Sequence, residues 1–382
     1  MRARTRDRWV YLASHPVLFG LVSATRRAPV VRIGRTLLVH GTQEYRHALT
    51  AVPLDRTAGG TTGGTARELT GGGGVVFDEE GPSHRASRRA AVGGDDSGWR
   101  AALTRHTALL AAMGPARATG PSPSAILQLR RGHSTPGRGN PGATTARSAG
   151  VLDVVGLAAD VAGCGAAALL GVGVDGPALA RAAREAAAAA ARAHVPGVGL
   201  PGRKRRAGEA ARRLVTLTGD ERGAMLAVAA VNTMVAAIPR AVAWCADDGL
   251  WPFAEDPVTR PSLVDELLRV LAPTPVLPRV AAARAAVGGR RVRRGERLVL
   301  VARHAAQGHE RGPDPVAPAP AGVTQLVFGA GAHACPGARL ARVQLAEVLA
   351  ALAPFRPVVV RARPDRRAAL PGWSTLDVRR TR

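Results

Sequence analysis

Residues 328–337 read Phe-Gly-Ala-Gly-Ala-His-Ala-Cys-Pro-Gly and lead into a predicted helix at Leu340–Leu352. The stretch sets one cysteine in a glycine-rich loop just before a helix begins. Glycine lets the backbone approach a flat group without a Cβ clash, which we expect of Gly331 and Gly337. Backbone amides at a helix start stabilise a thiolate. The segment therefore predicts that Cys335 is a reactive or metal-binding thiolate.

This loop resembles the heme-binding loop of the cytochrome P450 family, whose ordered positions are matched by Phe328, Gly331, Cys335 and Gly337. The resemblance implies a mainly α fold with small β-sheets. It also implies heme b between the long central helix and the helix after the cysteine loop, with Cys335 as the axial iron ligand. His333 stands where the family has a donor to a heme propionate.

Glu266 and Arg269 lie three residues apart in a predicted helix, upstream of the cysteine loop. Such a pair is usually an exposed ion pair worth a few tenths of a kcal/mol. Its separation from the loop is similar to that of the family's buried Glu–Arg lock, so the resemblance implies a structural lock here.

Three basic side chains are candidates for the heme propionates. Arg279 follows the lock helix in a segment similar to the family's propionate-binding strand, and a guanidinium pairs well with carboxylates. His84 and Arg88 lie four apart on a predicted helix and hence on one face. They resemble the family's His-x-x-x-Arg propionate clamp; the alternative is a solvated basic pair.

Residues 229–233, Ala-Ala-Val-Asn-Thr, resemble the family's oxygen-activation segment inside the predicted central helix at Asp220–Asp248. The small Ala229 and Ala230 leave room for dioxygen, and Thr233 is expected to bond bound oxygen and hold a water. Asn232 departs from the acid usual there. It can orient water but cannot release a proton, which puts the proton relay in doubt.

Other segments also depart from the family. No arginine occupies the position of the lock's second arginine within residues 316–322, and Arg311 or Arg303 are the possible substitutes. The region from Leu200 to Asp220 is short, which predicts a trimmed or rearranged lid. Residues 115–150 predict a flexible low-complexity insertion in a single domain spanning 1–382.

Local patterns add two expectations about strands. Apolar and β-branched residues around Gly34 predict a strand pair at Val30–His40. Arg290–Val301 predicts a hairpin that turns at Gly295.

The composition of the chain limits the classes of partner that we expect it to bind. The 382 residues carry 53 basic and 28 acidic side chains, a formal charge of +25, spread along the chain. This charge suggests an acidic partner, but base-composition drift toward arginine is the preferred explanation. We expect no nucleic acid partner because the motifs are missing, and no membrane partner because no apolar run reaches about 20 residues. Three widely spaced cysteines fit a reducing cytoplasm.

The resemblance implies a monooxygenase that oxidises a small organic substrate, in bacterial specialised metabolism, with dioxygen. Electrons would pass from NAD(P)H through a ferredoxin reductase and a ferredoxin. The ferredoxin would dock on a basic face: Arg85, Arg89, Arg339 and Arg342. Two alternatives remain open: an atypical heme-thiolate reaction, such as oxidative coupling or peroxide-driven oxidation, and a catalytically degenerate auxiliary protein.

Overall fold

The computed structural model describes residues 2–61, 63–64, 97–112, 150–194 and 202–381, and they are mainly helical. Thirteen helices within this part of the chain are used below. They are α1 Ala3–Ser14, α2 Pro16–Ala24, α3 Thr42–Thr50, α4 Ser97–Ala112, α5 Val154–Leu170, α6 Gly176–His194, α7 Arg203–Thr218, α8 Glu221–Asp247, α9 Trp251–Glu255, α10 Arg260–Leu271, α11 Ala302–Ala305, α12 Ala321–Thr324 and α13 Ala338–Leu352.

Ten strands form three small sheets in the same residues. The strands are β1 Val30–Ile33, β2 Thr36–Val39, β3 Leu54–Asp55, β4 Leu152–Asp153, β5 Leu277–Ala281, β6 Ala285–Val287, β7 Arg290–Val292, β8 Arg297–Leu300, β9 Val358–Pro364 and β10 Trp373–Arg379. The five-stranded sheet has the order β1-β2-β8-β5-β3, the three-stranded sheet β4-β10-β9, and β6 pairs with β7.

The central helix α8 spans 27 residues, as the sequence predicts, and lies in the main core. It begins where the Asp220 side chain accepts a hydrogen bond from the amide of Gly223, satisfying one of the amides that a helix start leaves open. By length and composition, α8 is the one described helix that could cross a membrane. Because most of it is packed against other elements, it is a core helix.

Two apolar cores hold the elements together. The main core joins α8 to α5, α6, α10 and α13. A second core lies between the five-stranded sheet and the helices α3 and α11. The cysteine loop runs between them, since Leu326 is buried in the second core and Phe328 packs against the main one.

The predicted strand pair at Val30–His40 is confirmed as β1 and β2, whose residues pair from Val30 opposite Val39 to Ile33 opposite Thr36. The predicted hairpin at Arg290–Val301 is wrong. Strand β7 pairs with β6, whereas β8 runs parallel to β2 and antiparallel to β5. Leu298 and Leu300 of β8 are fully buried, so packing in the second core determines the partners of that strand.

The segment before α8, in which the sequence predicts a trimmed or rearranged lid, contains one helix. Residues 203–218 form a full helix, α7, that packs along α6. Ala207, Ala211 and Leu214 recur at helical spacing on its buried face. The predicted insertion at 115–150 lies outside the described residues except for Gly150.

Candidate functional site

The cysteine loop is a tight turn that presents Cys335 beside the start of α13. The amide of Cys335 donates to the carbonyl of Phe328 at 2.7 Å, and the amide of Ala334 donates to Gly331 at 3.1 Å. Cys335 is exposed and forms no disulfide. The loop therefore holds the thiol-bearing residue in a fixed, accessible place, three residues before α13 begins at Ala338.

Two glycines make this turn possible. Gly329 and Gly331 have φ of 81° and 72°, a left-handed region that favours glycine. A Cβ on Gly331 would also lie 3.2 Å from Cγ2 of Thr50. Gly337, by contrast, has φ of −83°, which any residue adopts. The backbone freedom that the turn needs is thus at Gly329 and Gly331 rather than at Gly337.

Phe328 and Arg342 fasten the loop to the helices around it. The guanidinium of Arg342 lies 4.5 Å from the centre of the Phe328 ring. It also pairs with the Asp265 carboxylate at 2.6 Å and donates to the amide oxygen of Gln325 at 3.0 Å. The sequence predicts Arg342 on a partner-docking face, yet these contacts give it a local structural role. Arg339, one helical turn earlier, is exposed.

The Glu266–Arg269 pair is fully buried, both side chains having 0% exposure. Two guanidinium nitrogens of Arg269 donate to the two Glu266 oxygens at 2.8 and 2.7 Å. Glu266 also accepts from the amides of Asp314 and Ala319, at 3.0 and 2.9 Å. Burial opposes ionisation, but these hydrogen bonds outweigh it and lower the pKa of Glu266. The pair thus ties α10 to the loop at 306–319.

The two candidates for the second arginine of the lock, Arg311 and Arg303, have different ion-pair partners. Arg311 lies 3.9 Å from Glu266 and donates to the carbonyl of Ala317 at 2.8 Å. Arg303 instead pairs with Asp7 of α1 at 2.8 Å. Arg311 is therefore the nearer substitute, and its side chain is 43% exposed, so the backbone amides take over most of the bonding to Glu266.

Arg279 of β5 is the polar group in the described site that most lacks a partner. Its Nε is buried and donates no hydrogen bond, and its Nη1 donates to the carbonyl of the adjacent Pro278. Burial, and then the nearby Arg56, lower the pKa of Arg279 to about 10. A buried guanidinium nitrogen without a hydrogen-bond partner suits an anionic group.

In the middle of α8, Ala229, Ala230, Asn232 and Thr233 are half-buried, whereas Val231 is fully buried. The Thr233 hydroxyl donates back to the carbonyl of Ala229 at 2.8 Å. The Asn232 amide nitrogen donates to the carbonyls of Val228 at 2.8 Å and Ala183 at 3.3 Å. Because Ala183 belongs to α6, Asn232 connects the central helix to the neighbouring helix, a role that sequence reasoning missed.

Two predicted groups cannot be compared with this geometry. His84 and Arg88 of the predicted clamp, and Arg85 and Arg89 of the predicted docking face, lie outside the described residues. His333 is half-buried in the loop, two residues before Cys335.

The described residues fit a heme. An accessible thiol supplies an iron ligand of the right chemistry, and small residues line the middle of α8. The orphaned Nε of Arg279 matches the carboxylate of a propionate.

Comparison with known proteins supports the fold. No protein-family model and no curated protein matches the chain. Solved structures do: P450 EryK bound to erythromycin B has a TM-score of 0.67 and 17% identity, covering 97% of this chain and 98% of its own. CYP109B1 from Bacillus subtilis has a TM-score of 0.64 and 17% identity, covering 96% and 100%.

A further similar structure is P450BioI in complex with an acyl carrier protein that carries a fatty acid. Its TM-score is 0.63 at 18% identity, with coverage of 97% of this chain and 99% of its own. At such identities the comparison establishes architecture: the chain has the cytochrome P450 fold, as the cysteine loop predicts.

Proposed function

We propose that this chain is a heme-thiolate oxidoreductase, in which Cys335 ligates the heme iron and the bound heme activates dioxygen for monooxygenation of a small organic substrate. The observation that carries the proposal is the loop geometry. Within a P450 fold, the left-handed Gly329 and Gly331 present an accessible Cys335 at the start of α13.

Each remaining site residue has a defined task under this proposal. Arg279 and His333 would bind propionates, together with His84 and Arg88. Ala229 and Ala230 would leave space above the iron. Thr233 would exchange its bond to the Ala229 carbonyl for a bond to a water or to substrate oxygen, since a hydroxyl can donate only one hydrogen at a time.

Electron delivery and substrate remain proposals at the level of class. We propose that a ferredoxin supplies electrons that originate from NAD(P)H and docks near the exposed Arg339. Arg342, held by Asp265, would add to the positive field without direct contact. We also propose a role in specialised metabolism in the bacterial cytoplasm; structural neighbours from teicoplanin biosynthesis, such as OxyB, support the metabolic part of this proposal.

The test is the absorption spectrum of the purified holoprotein, reduced and exposed to carbon monoxide. Thiolate ligation produces a strongly red-shifted Soret band. We expect this band in the native chain, its loss in Cys335→Ser, and its retention in the control Cys164→Ser. A native spectrum without the band, or an unchanged spectrum in Cys335→Ser, contradicts the proposal and favours the auxiliary protein.

A second candidate reaction, oxidative coupling without oxygen insertion, is favoured by Asn232. Its amide hydrogens are directed at Val228 and Ala183 rather than toward a proton path. OxyB from teicoplanin biosynthesis, in complex with an X-domain, is also a structural neighbour, at 20% identity and a TM-score of 0.60. Product formed under labelled dioxygen distinguishes the two, because only monooxygenation places a labelled atom in the product.

A further inference from the structure

One turn of α2 exposes large aliphatic side chains together. Val17, Leu18 and Leu21 have 86, 36 and 43% of their surface exposed, whereas Phe19 and Val22 on the opposite side are buried. Leu21 lies four residues after Val17 and three after Leu18, and helical side chains at these spacings are neighbours, so the three form one continuous patch. Contiguous exposed apolar patches are typical of interaction surfaces.

The patch contains no charge of its own. No ionisable residue occurs from Pro16 to Ala24, and the neighbouring Gly20 and Ala24 are also exposed. We refer to Val17, Leu18 and Leu21 as the α2 patch.

Arginine-rich segments flank the start of α2. The His15 ring nitrogen lies 3.4 Å from the carbonyl of Ala369, which brings the β9–β10 loop against this end of the helix. That loop exposes Arg366 and Arg367. Arg192 of α6 donates to the carbonyl of Arg367 at 3.1 Å and therefore lies at the same place.

The basic surface continues into α7. Arg203 donates to the carbonyl of Arg192 at 3.5 Å, which joins the beginning of α7 to the same cluster. The next three side chains, Lys204, Arg205 and Arg206, are exposed. At the other end of α2, Arg26 and Arg27 are exposed. The α2 patch thus has basic residues at both ends.

Few carboxylates offset this charge in the described part of the surface. Asp365 accepts hydrogen bonds from the amides of Arg367 and Ala368, and its loop still exposes two arginines. Glu209 pairs with Arg205 at 2.8 Å. Within the part of the chain that the structure describes, the remaining cations of this surface form no ion pair with a carboxylate, so they are available to an external anion.

We propose that this surface docks the protein peripherally on an anionic phospholipid bilayer. The aliphatic side chains of the α2 patch insert at the boundary of headgroups and acyl chains, and the arginines at both ends contact anionic headgroups. The apolar α2 patch suits the acyl-chain region of a bilayer, and the cations at both ends of α2 suit its anionic headgroups. The proposal concerns a surface contact and is independent of the proposed oxidation.

The experiment is co-sedimentation of the full chain with vesicles of pure phosphatidylcholine and of phosphatidylcholine with 30% phosphatidylglycerol. We expect at least tenfold tighter binding to the anionic vesicles. The double variant Leu18→Ser with Leu21→Ser, and separately Arg366→Glu with Arg367→Glu, should each weaken that binding at least tenfold.

Matched controls exclude non-specific effects. Val258→Ser with Val316→Ser removes two aliphatic side chains that are 82 and 78% exposed elsewhere. Arg294→Glu with Arg339→Glu changes net charge by the same amount as the loop variant. Both controls should bind like the native chain. Undiminished binding after removal of Leu18 and Leu21 would mean general adsorption of a polycation, and absence of vesicle binding would mean a different occupant; either result overturns the proposal.

Discussion

At the scale of single residues, Arg279 is a cation whose environment is incomplete without an anion. Its Nε is buried without a partner, and burial with the neighbouring Arg56 lowers its pKa to about 10, so it is still charged at neutral pH. A buried charge without a counter-ion destabilises a folded protein. The charge of Arg279 on β5 therefore destabilises the fold, and a bound carboxylate would offset that destabilisation.

Arg279→Leu should therefore have opposite effects on the stability of the heme-free chain and on its affinity for heme. We expect unfolding of the heme-free chain to be unchanged or to require more urea. Heme affinity should fall about 10- to 100-fold, because a charge-assisted hydrogen bond is worth about 1.5–3 kcal/mol. Urea unfolding and heme titration by absorbance measure the two, with the exposed Arg290→Leu as the control. A destabilised heme-free chain with unchanged heme affinity would show that Arg279 serves the fold alone.

Sequence reasoning succeeded at this scale wherever a motif is local. The cysteine loop and the Glu266–Arg269 pair each lie within a few residues, so spacing predicts that their members are close together. That the pair is buried was implied only by the family resemblance. The sequence left Arg311 and Arg303 open as replacements for the lock's second arginine, because the choice depends on where the loop at 306–319 folds. Backbone amides of Asp314 and Ala319 take most of that role, and a sequence cannot show where a backbone amide points.

At the scale of elements, three histidines connect β2, α11 and the loop that follows it. Nδ1 of His40 lies 2.9 Å from Nδ1 of His304, and the rings of His304 and His309 are 4.4 Å apart. One nitrogen of the first pair must accept a hydrogen bond from the other, so at least one of the two rings is neutral. The Thr25 hydroxyl contacts the far nitrogen of His40 at 3.1 Å.

Burial lowers the pKa of all three rings. The pKa is about 4 for His40, about 2 for His304 and about 4 for His309. Positive charge from Arg26, Arg303 and His40 also lowers the pKa of both His304 and His309. Arg4 lowers that of His309 further. The unfolded chain, with values near 6.5, therefore binds more protons between pH 6.5 and about 4. Stability is full above pH 6.5 and falls with acidification through this window, by about 1.4 kcal/mol per unit for each histidine.

Urea unfolding at pH 7.5, 6.5 and 5.5 measures this slope. We expect His309→Gln to reduce it by about one third, since one of the three groups no longer titrates. His106→Gln, which changes a half-buried histidine of α4 that pairs with Asp160 of α5, is the control. A native chain whose stability is equal at all three pH values would contradict the assignment.

The strand pairing that the sequence analysis missed had a recognisable local signal. Gly288 and Gly289 form a two-residue connection with φ of 53° and 71°, the conformation that joins β6 directly to β7. Gly295 also has positive φ, but strand β8 after it pairs with β2, which is distant in sequence. Turn chemistry alone could have identified the first hairpin, whereas the parallel pairing depends on tertiary burial.

At the scale of the whole molecule, Asp7 joins three distant parts of the chain. It belongs to α1, and its carboxylate accepts from Nε of Arg240 in α8 at 2.8 Å and pairs with Arg303 of α11 at 2.8 Å. The Asp7 and Arg240 side chains are 2 and 1% exposed. Burial opposes ionisation of Asp7, but the two arginines outweigh it and lower its pKa. Its contribution is present above the ordinary value of 3.8 and lost as pH falls below it.

Asp7→Asn should therefore cost about 3–5 kcal/mol in the free energy of unfolding, because it leaves two guanidinium groups buried without a counter-charge. Urea unfolding measures the loss, and Glu209→Gln, from an exposed ion pair, should cost under about 1 kcal/mol. The triple change of Asp7→Leu, Arg240→Met and Arg303→Met removes the charges together. It should recover most of the loss, since apolar replacement of a buried ion network is often neutral. A triple variant as unstable as Asp7→Asn would instead mean that the contribution of α1 comes from packing on α8 and not from charge compensation across the two cores.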